Sequence, residues 1–198
     1  MVAGLTGRYC SGKSTVGSLM QEQGWHVIEV DHLGHQALVE LQDEVVDLFG
    51  KHILSKEGRI DRRLLGREVF KDSRRRMLLE AIVHPWMFNR CSQLVAEDRI
   101  AGVDTVINAA LLHRMGLDRL CDIAIYVRAP LYRRYLRGKF RDGTNLRDFF
   151  QREGAQKHIR VYNIESIHGV FCLNNRGNRG HIQKQLQDLL RICREKGY

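Results

Sequence analysis

Gly7-Arg8-Tyr9-Cys10-Ser11-Gly12-Lys13-Ser14-Thr15 is the stretch on which the reading of this chain turns. It fits G-x-x-x-x-G-K-[ST], and its surroundings fit as well: Val2 to Thr6 reads as a short buried strand, and Lys13 to Gln23 as an amphipathic helix. Gly7 and Gly12 let the backbone fold around phosphate oxygens with no Cβ in the way. The N–H groups of Tyr9, Cys10, Ser11, Gly12, Lys13, Ser14 and Thr15 are expected to converge on a β-phosphate at a helix N-terminus. Lys13 reaches the β- and γ-phosphates in this reading, and Ser14 ligates the Mg²⁺ that accompanies ATP. The plain alternative is a glycine-rich turn with a surface lysine. The length and context of the match favour nucleoside triphosphate binding.

The loop leaves the reaction open. A GTPase usually adds Asn-Lys-x-Asp, which this sequence lacks. The third strand ends Val106-Ile107-Asn108, without the acid that often supports Mg²⁺ there. Kinases of small metabolites tolerate that better than motor ATPases do.

Working outward, Trp25 to Val30 reads as a second strand, followed by Asp31 as a cap for the next helix. Leu38, Leu41, Val45, Leu48 and Phe49 recur at helical spacing over residues 36–49, and Gly50 ends that run. Asp61 caps a helix through Phe70, and a long helix from about Ser73 meets a breaker at His84-Pro85. Val103 to Ile107 and Cys121 to Val127 read as strands, and Pro130 opens a helix. Arg141 to Asn145 is a loop by composition, with a basic helix after it. Gly169 to Leu173 is the last strand, and Asn178 caps a final helix carrying Ile182, Leu186, Leu189 and Leu190. Strands alternating with helices imply a mostly parallel sheet covered on both faces.

Composition narrows the partners. The 198 residues, 43% hydrophobic and 28% charged, suit one domain with a real core. No apolar run approaches the length of a membrane span, and the N-terminus is not a secretory signal. Five scattered cysteines without metal or redox spacing predict reduced thiols in a cytoplasmic protein. The net charge of +9 calls for anionic partners, and Arg128 to Arg160 holds ten Lys/Arg against three Asp/Glu. That run is either a solvated helix face or a phosphate-binding surface. No nucleic-acid-binding motif is present and aromatics are 8%, so a non-catalytic nucleotide- or nucleic-acid-binding protein is the weaker reading.

The order of motifs resembles dephospho-coenzyme A kinase over nearly the whole chain. The resemblance rests on Gly4-Leu5-Thr6-Gly7 with the phosphate loop, Val27-Ile28-Glu29-Val30-Asp31, Phe49-Gly50, Gly58-Arg59-Ile60-Asp61-Arg62 and Val69-Phe70. It continues through His84-Pro85, Leu111-Leu112, Arg137-x-x-x-Arg141-Asp142-Gly143 and Asn174-Asn175-x-Gly177. It implies transfer of the ATP γ-phosphate to the 3′-hydroxyl of dephospho-coenzyme A, the last step of coenzyme A biosynthesis. A kinase of another small substrate, such as a nucleoside monophosphate, is the nearest rival. The implied fold is a three-layer α/β P-loop NTPase with a five-stranded parallel sheet, one domain over residues 1–198. A helical substrate-binding insertion at about 32–102 and a lid at about 138–160 complete it.

The resemblance also implies site residues. Asp31 orients the acceptor hydroxyl and takes its proton, or is simply a helix cap. Arg141, in the lid, meets the transferring phosphoryl group, with Arg137 as a second cation; either is otherwise a surface arginine. Asn175 falls in the adenine-contacting loop or merely makes a turn. Arg62 and His84 lie toward the coenzyme substrate. The chain departs from the family where Arg8 replaces a glycine, Glu29 an aspartate, and Asn108-Ala109-Ala110 a more usual Asp-x-Pro; His113-Arg114 stand where an acid is usual. Oligomeric state is not legible in the sequence.

Overall fold

Every side chain of Val2–Thr6 is buried, so this strand, β1, runs through the middle of the sheet as its unbroken apolar run requires. The computed structural model describes residues 1–156 and 169–198. β1 pairs in parallel with β3 (Thr105–Asn108), Val2 opposite Thr105, and with β4 (Ile123–Arg128), Ala3 opposite Ile123. β5 (Gly169–Asn174) pairs with β4 from Ile123 opposite Gly169 to Arg128 opposite Asn174. With β2 (His26–Glu29) outside β3, the order is β2-β3-β1-β4-β5. This register brings the carboxyl ends of β1, β4 and β5 side by side, where open α/β sheets bind ligands.

On one face of the sheet, α1 (Lys13–Gln21) and α8 (Arg179–Glu195) bury their apolar sides. Val16, Leu19 and Met20 pack with Ile182, Leu186 and Leu190 around Leu5, Ile125 and Leu173. Each such large apolar side chain contributes about 1.5–3 kcal/mol on burial. Gly4 faces the other side, where a Cβ would lie 2.5 Å from Leu112 Cδ2 and 2.9 Å from Cys121 Sγ. Asn178 caps α8, accepting from Gly180 and His181 N–H. Among the described residues no helix is long and apolar enough to cross a membrane.

The chain divides into two compact units, Met1–Ile28 with Leu94–Tyr198, and Glu29–Gln93. The second is helical: α2 (Val30–Glu40), α3 (Gln42–Phe49), α4 (Arg62–Lys71) and the start of α5 (Ser73–Ala101). Val45, Phe49, Ile53 and Leu65 form its core. Asp61 caps α4 as expected, accepting from the N–H groups of Arg63 and Leu64.

Four local expectations are corrected. The helical run at 36–49 is two helices, because Leu41 leaves helical geometry at φ −105, ψ 27. α2 already begins at Val30, so Asp31 sits in its first turn, and the cap position falls to Glu29, whose side chain makes no capping bond. α5 runs through Pro85 without a break; the ring removes one hydrogen bond, while Val83 and Met87 on either side stay buried. Finally, α6 (Leu131–Asp142) carries Arg141 in its last turn rather than in a loop. The stop is Gly143, at φ 63, with Gly143 N–H donating to Lys139 O at 3.1 Å and Thr144 N–H to Gly138 O at 3.2 Å. The helix after it, α7 (Leu146–Ala155), balances Arg147 and Arg152 with Asp148 and Glu153, so the basic face belongs to α6.

Candidate active site

Between β1 and α1 the chain makes a tight cradle whose backbone only small residues permit. At Gly12 φ is 99, and a Cβ there would collide with the Asn175 side-chain amide. At Gly7 a Cβ would come within 2.5 Å of the Val127 carbonyl oxygen. Cys10 also has a left-handed backbone, φ 57, with its side chain buried, a conformation that strains any residue with a Cβ. No side chain from the cap position closes the start of α1, and a helix N-terminus of this kind suits an anion. Lys13 is half-buried and its Nζ donates to Gly7 O at 3.1 Å, which holds the amine over the cradle. Ser14 is exposed on the same turn and Thr15 is half-buried.

The carbonyls on the outer side of the cradle are each held from α6 or from the turn after β5. Arg134 Nε donates to Tyr9 O at 2.8 Å. Arg137 Nη1 donates to Cys10 O at 3.2 Å and Ser11 O at 3.1 Å. Asn175, 5% exposed, donates through Nδ2 to Ser11 O at 2.9 Å and accepts at Oδ1 from Arg137 Nη2 at 2.9 Å. Carbonyls fixed outward oblige the alternate N–H groups inward, which is the geometry of an anion nest. Two expected donors are engaged differently: Tyr9 N–H donates to Gln156 Oε1 at 2.6 Å, and Ser11 N–H to Arg8 O at 3.0 Å.

Three of the four arginines of α6, Arg134, Arg137 and Arg141, differ electrically. Arg134, buried, is neutralised by Glu153, which also takes Arg8 Nη1 at 2.5 Å. Despite its burial, Glu153 is held below the usual carboxyl range by those two guanidinium groups. Arg141 is forked onto Asp142 through Nε at 2.8 Å and Nη2 at 2.9 Å, and that pairing raises its own pKa and lowers that of Asp142. The Arg137 side chain, among the described residues, meets only neutral oxygens. Burial, and then the nearby Arg133 charge, push its pKa below the ordinary value, the mark of a cation without a counter-charge. A phosphate group would supply one.

Of the other expected site residues, Asp31, Arg62 and His84 belong to the Glu29–Gln93 unit. Asp31 is exposed in the first turn of α2. Arg62, the first residue of α4, donates from Nη1 to His35 Nε2 at 2.5 Å. Burial, then Arg62 and His32, lower the His35 pKa, so its ring is a neutral acceptor. His84 is half-buried within α5. The sequence reading missed Arg134, Glu153, Gln156 and Asp142. Arg134, Arg137 and Arg141 lie on one face of a helix by spacing alone, a signal within reach. Glu153 and Gln156 carry no such mark. Residues 157–160 of the expected lid lie outside the described residues.

A parallel 2-3-1-4-5 sheet, a glycine-lysine cradle at the end of its central strand and a following arginine-lined helix define a P-loop kinase. The dephospho-CoA kinase family model (CoaE) matches residues 1–163, and the chain belongs to that family. It is 33% identical to a dephospho-CoA kinase of Wolinella succinogenes over 192 residues, 96% of this chain and 94% of that protein. It is 36% identical to a dephospho-CoA kinase of Borreliella burgdorferi over 130 residues, and there it spans only 62% of the relative's length. In structure it is similar to TT1252 from Thermus thermophilus, with a TM-score of 0.77, 29% identity and 97% of each chain covered.

Proposed function

We propose that this chain transfers the γ-phosphoryl group of ATP to the 3′-hydroxyl of dephospho-coenzyme A, in the cytoplasm, as the last step of coenzyme A biosynthesis. The observation that carries the reading is the match to the Wolinella dephospho-CoA kinase over almost the full length of both chains.

The chemistry follows from the cradle. The first-turn N–H groups of α1 and Lys13 bind the β- and γ-phosphates, and Arg137 and Arg141 meet the charge spread over the transferring group. Asn175 acts on ATP through the loop it braces. Asp31 holds the acceptor hydroxyl and takes its proton, while Arg62 and His84 bind the rest of the acceptor. Among the described residues no group of three His, Cys, Asp or Glu could hold a metal by itself. Ser14, exposed on the first turn, offers a hard oxygen donor and would hold a nucleotide-borne Mg²⁺. When bound it neutralises charge on the β- and γ-oxygens.

The test is ADP release from ATP with dephospho-coenzyme A and with each nucleoside monophosphate as acceptor, plus the mass of the product. Turnover with dephospho-coenzyme A and a product heavier by one phosphoryl group is expected. Turnover only with a nucleoside monophosphate overturns the reading.

A further inference from the structure

We infer that the Tyr9 side chain is a positioning residue for Arg141, tying the third position of the phosphate loop to the cation that meets the transferring phosphoryl group. This rests on the function proposed above, and on four contacts of Tyr9.

Its hydroxyl donates to Asp142 Oδ2 and lies 2.9 Å from Thr144 Oγ1. The same Asp142 carboxylate receives Arg141 Nε at 2.8 Å and Nη2 at 2.9 Å, so tyrosine and arginine are anchored to one group. The Arg141 guanidinium also stands 5.8 Å above the Tyr9 ring centroid, with Arg152 at 4.7 Å. Gly138 leaves room for the ring: a Cβ there would lie 3.1 Å from Tyr9 Cε1. The main chain is fixed too, by Arg134 at the carbonyl and Gln156 at the N–H.

The side chain of Arg141 is 61% exposed, and a long exposed arginine has much rotamer freedom to lose before it can act. Tyr9 and Asp142 remove that freedom in advance. The fork to Asp142 uses Nε and Nη2, and the two Nη1 donors remain for phosphoryl oxygens. Asp142 is therefore a support for the arginine that leaves part of its donor set open. Because Tyr9 belongs to the loop that holds the β-phosphate, the arginine is referenced to the nucleotide's own seat, which is what a transition-state contact requires.

The experiment is steady-state kinetics of wild type, Tyr9→Phe, Arg141→Ala and the double variant, with melting curves for each. Removing the hydroxyl deprives Asp142 of one of three charge-assisted bonds. Tyr9→Phe should lower kcat roughly 10- to 100-fold with the KM for ATP little changed. In the Arg141→Ala background the same change should cost nothing further. Asp142→Asn cuts the link from the other side and carries the same expectation, should Tyr9→Phe fold poorly. A wild-type kcat in Tyr9→Phe, or full multiplication of the two losses, overturns the inference while leaving the proposed function standing. A wild-type protein that never phosphorylates dephospho-coenzyme A ends both.

Discussion

Asn175 holds the Ser11 carbonyl at 2.9 Å from 164 positions further along the chain, with an amide that is nearly buried. Its other end accepts from Arg137, and its Oδ1 also takes the Gly177 N–H at 3.1 Å, so one side chain links the phosphate loop, α6 and the turn after β5. Removing it takes the acceptor from the Gly177 N–H, one of two donors from the Ser11 carbonyl and one of three acceptors from Arg137. Asn175→Ala should lower stability by about 1–3 kcal/mol, the cost of unpaired buried polar groups. ATP affinity, read by calorimetry, should fall with it. Wild-type melting and wild-type affinity would show that this residue only shapes a turn.

Lys13 should matter to turnover and not to folding. Its side chain is only half-buried and belongs to no core cluster, so the fold loses little without it. Lys13→Ala should abolish almost all phosphoryl transfer while the melting temperature stays close to wild type. An active Lys13→Ala protein contradicts the assignment of the cradle to the β/γ-phosphates.

For Asp31 the structure sharpens the experiment. It lies within the first turn of α2 and is not the cap residue, so its exchange for asparagine costs at most the favourable interaction of a negative charge with a helix N-terminus, about 0.3–1 kcal/mol. General-base assistance is worth ~10²–10⁴-fold, and a loss of kcat toward the lower end is expected, since a metaphosphate-like transition state asks less of its base. Normal kcat in a stable Asp31→Asn protein would leave Asp31 a first-turn charge and nothing more.

Cys10 offers a test of the loop's backbone. A residue with a Cβ held at φ 57 carries strain, which glycine relieves at the expense of a more flexible unfolded chain. Cys10→Gly should therefore leave stability within about 1 kcal/mol of wild type. Cys10→Val, branched at Cβ, should cost about 1–3 kcal/mol, seen as a lower urea midpoint with an unchanged slope. A valine variant as stable as wild type would mean the left-handed conformation is not enforced.

The sequence by itself determined the central strand, the phosphate loop and the final helix. Each is written in neighbours a few positions apart: an unbroken apolar run at Val2–Leu5, Gly7 and Gly12 ahead of Lys13, and a period near four at Ile182, Leu186 and Leu190. It carried the family too, through the order of its short motifs. Helix ends were less legible, because they depend on which residue can leave helical geometry. Gly143, not Arg141, ends α6, and Leu41 rather than Gly50 is the first break after Val30. Only the tertiary structure decided how the loop is held. Arg134, Arg137, Glu153, Gln156 and Asn175 reach residues 8–11 across more than a hundred positions of chain. Such contacts are set by the register of β1, β4 and β5, and no local pattern encodes which side chain will stand opposite which carbonyl once the strands have paired.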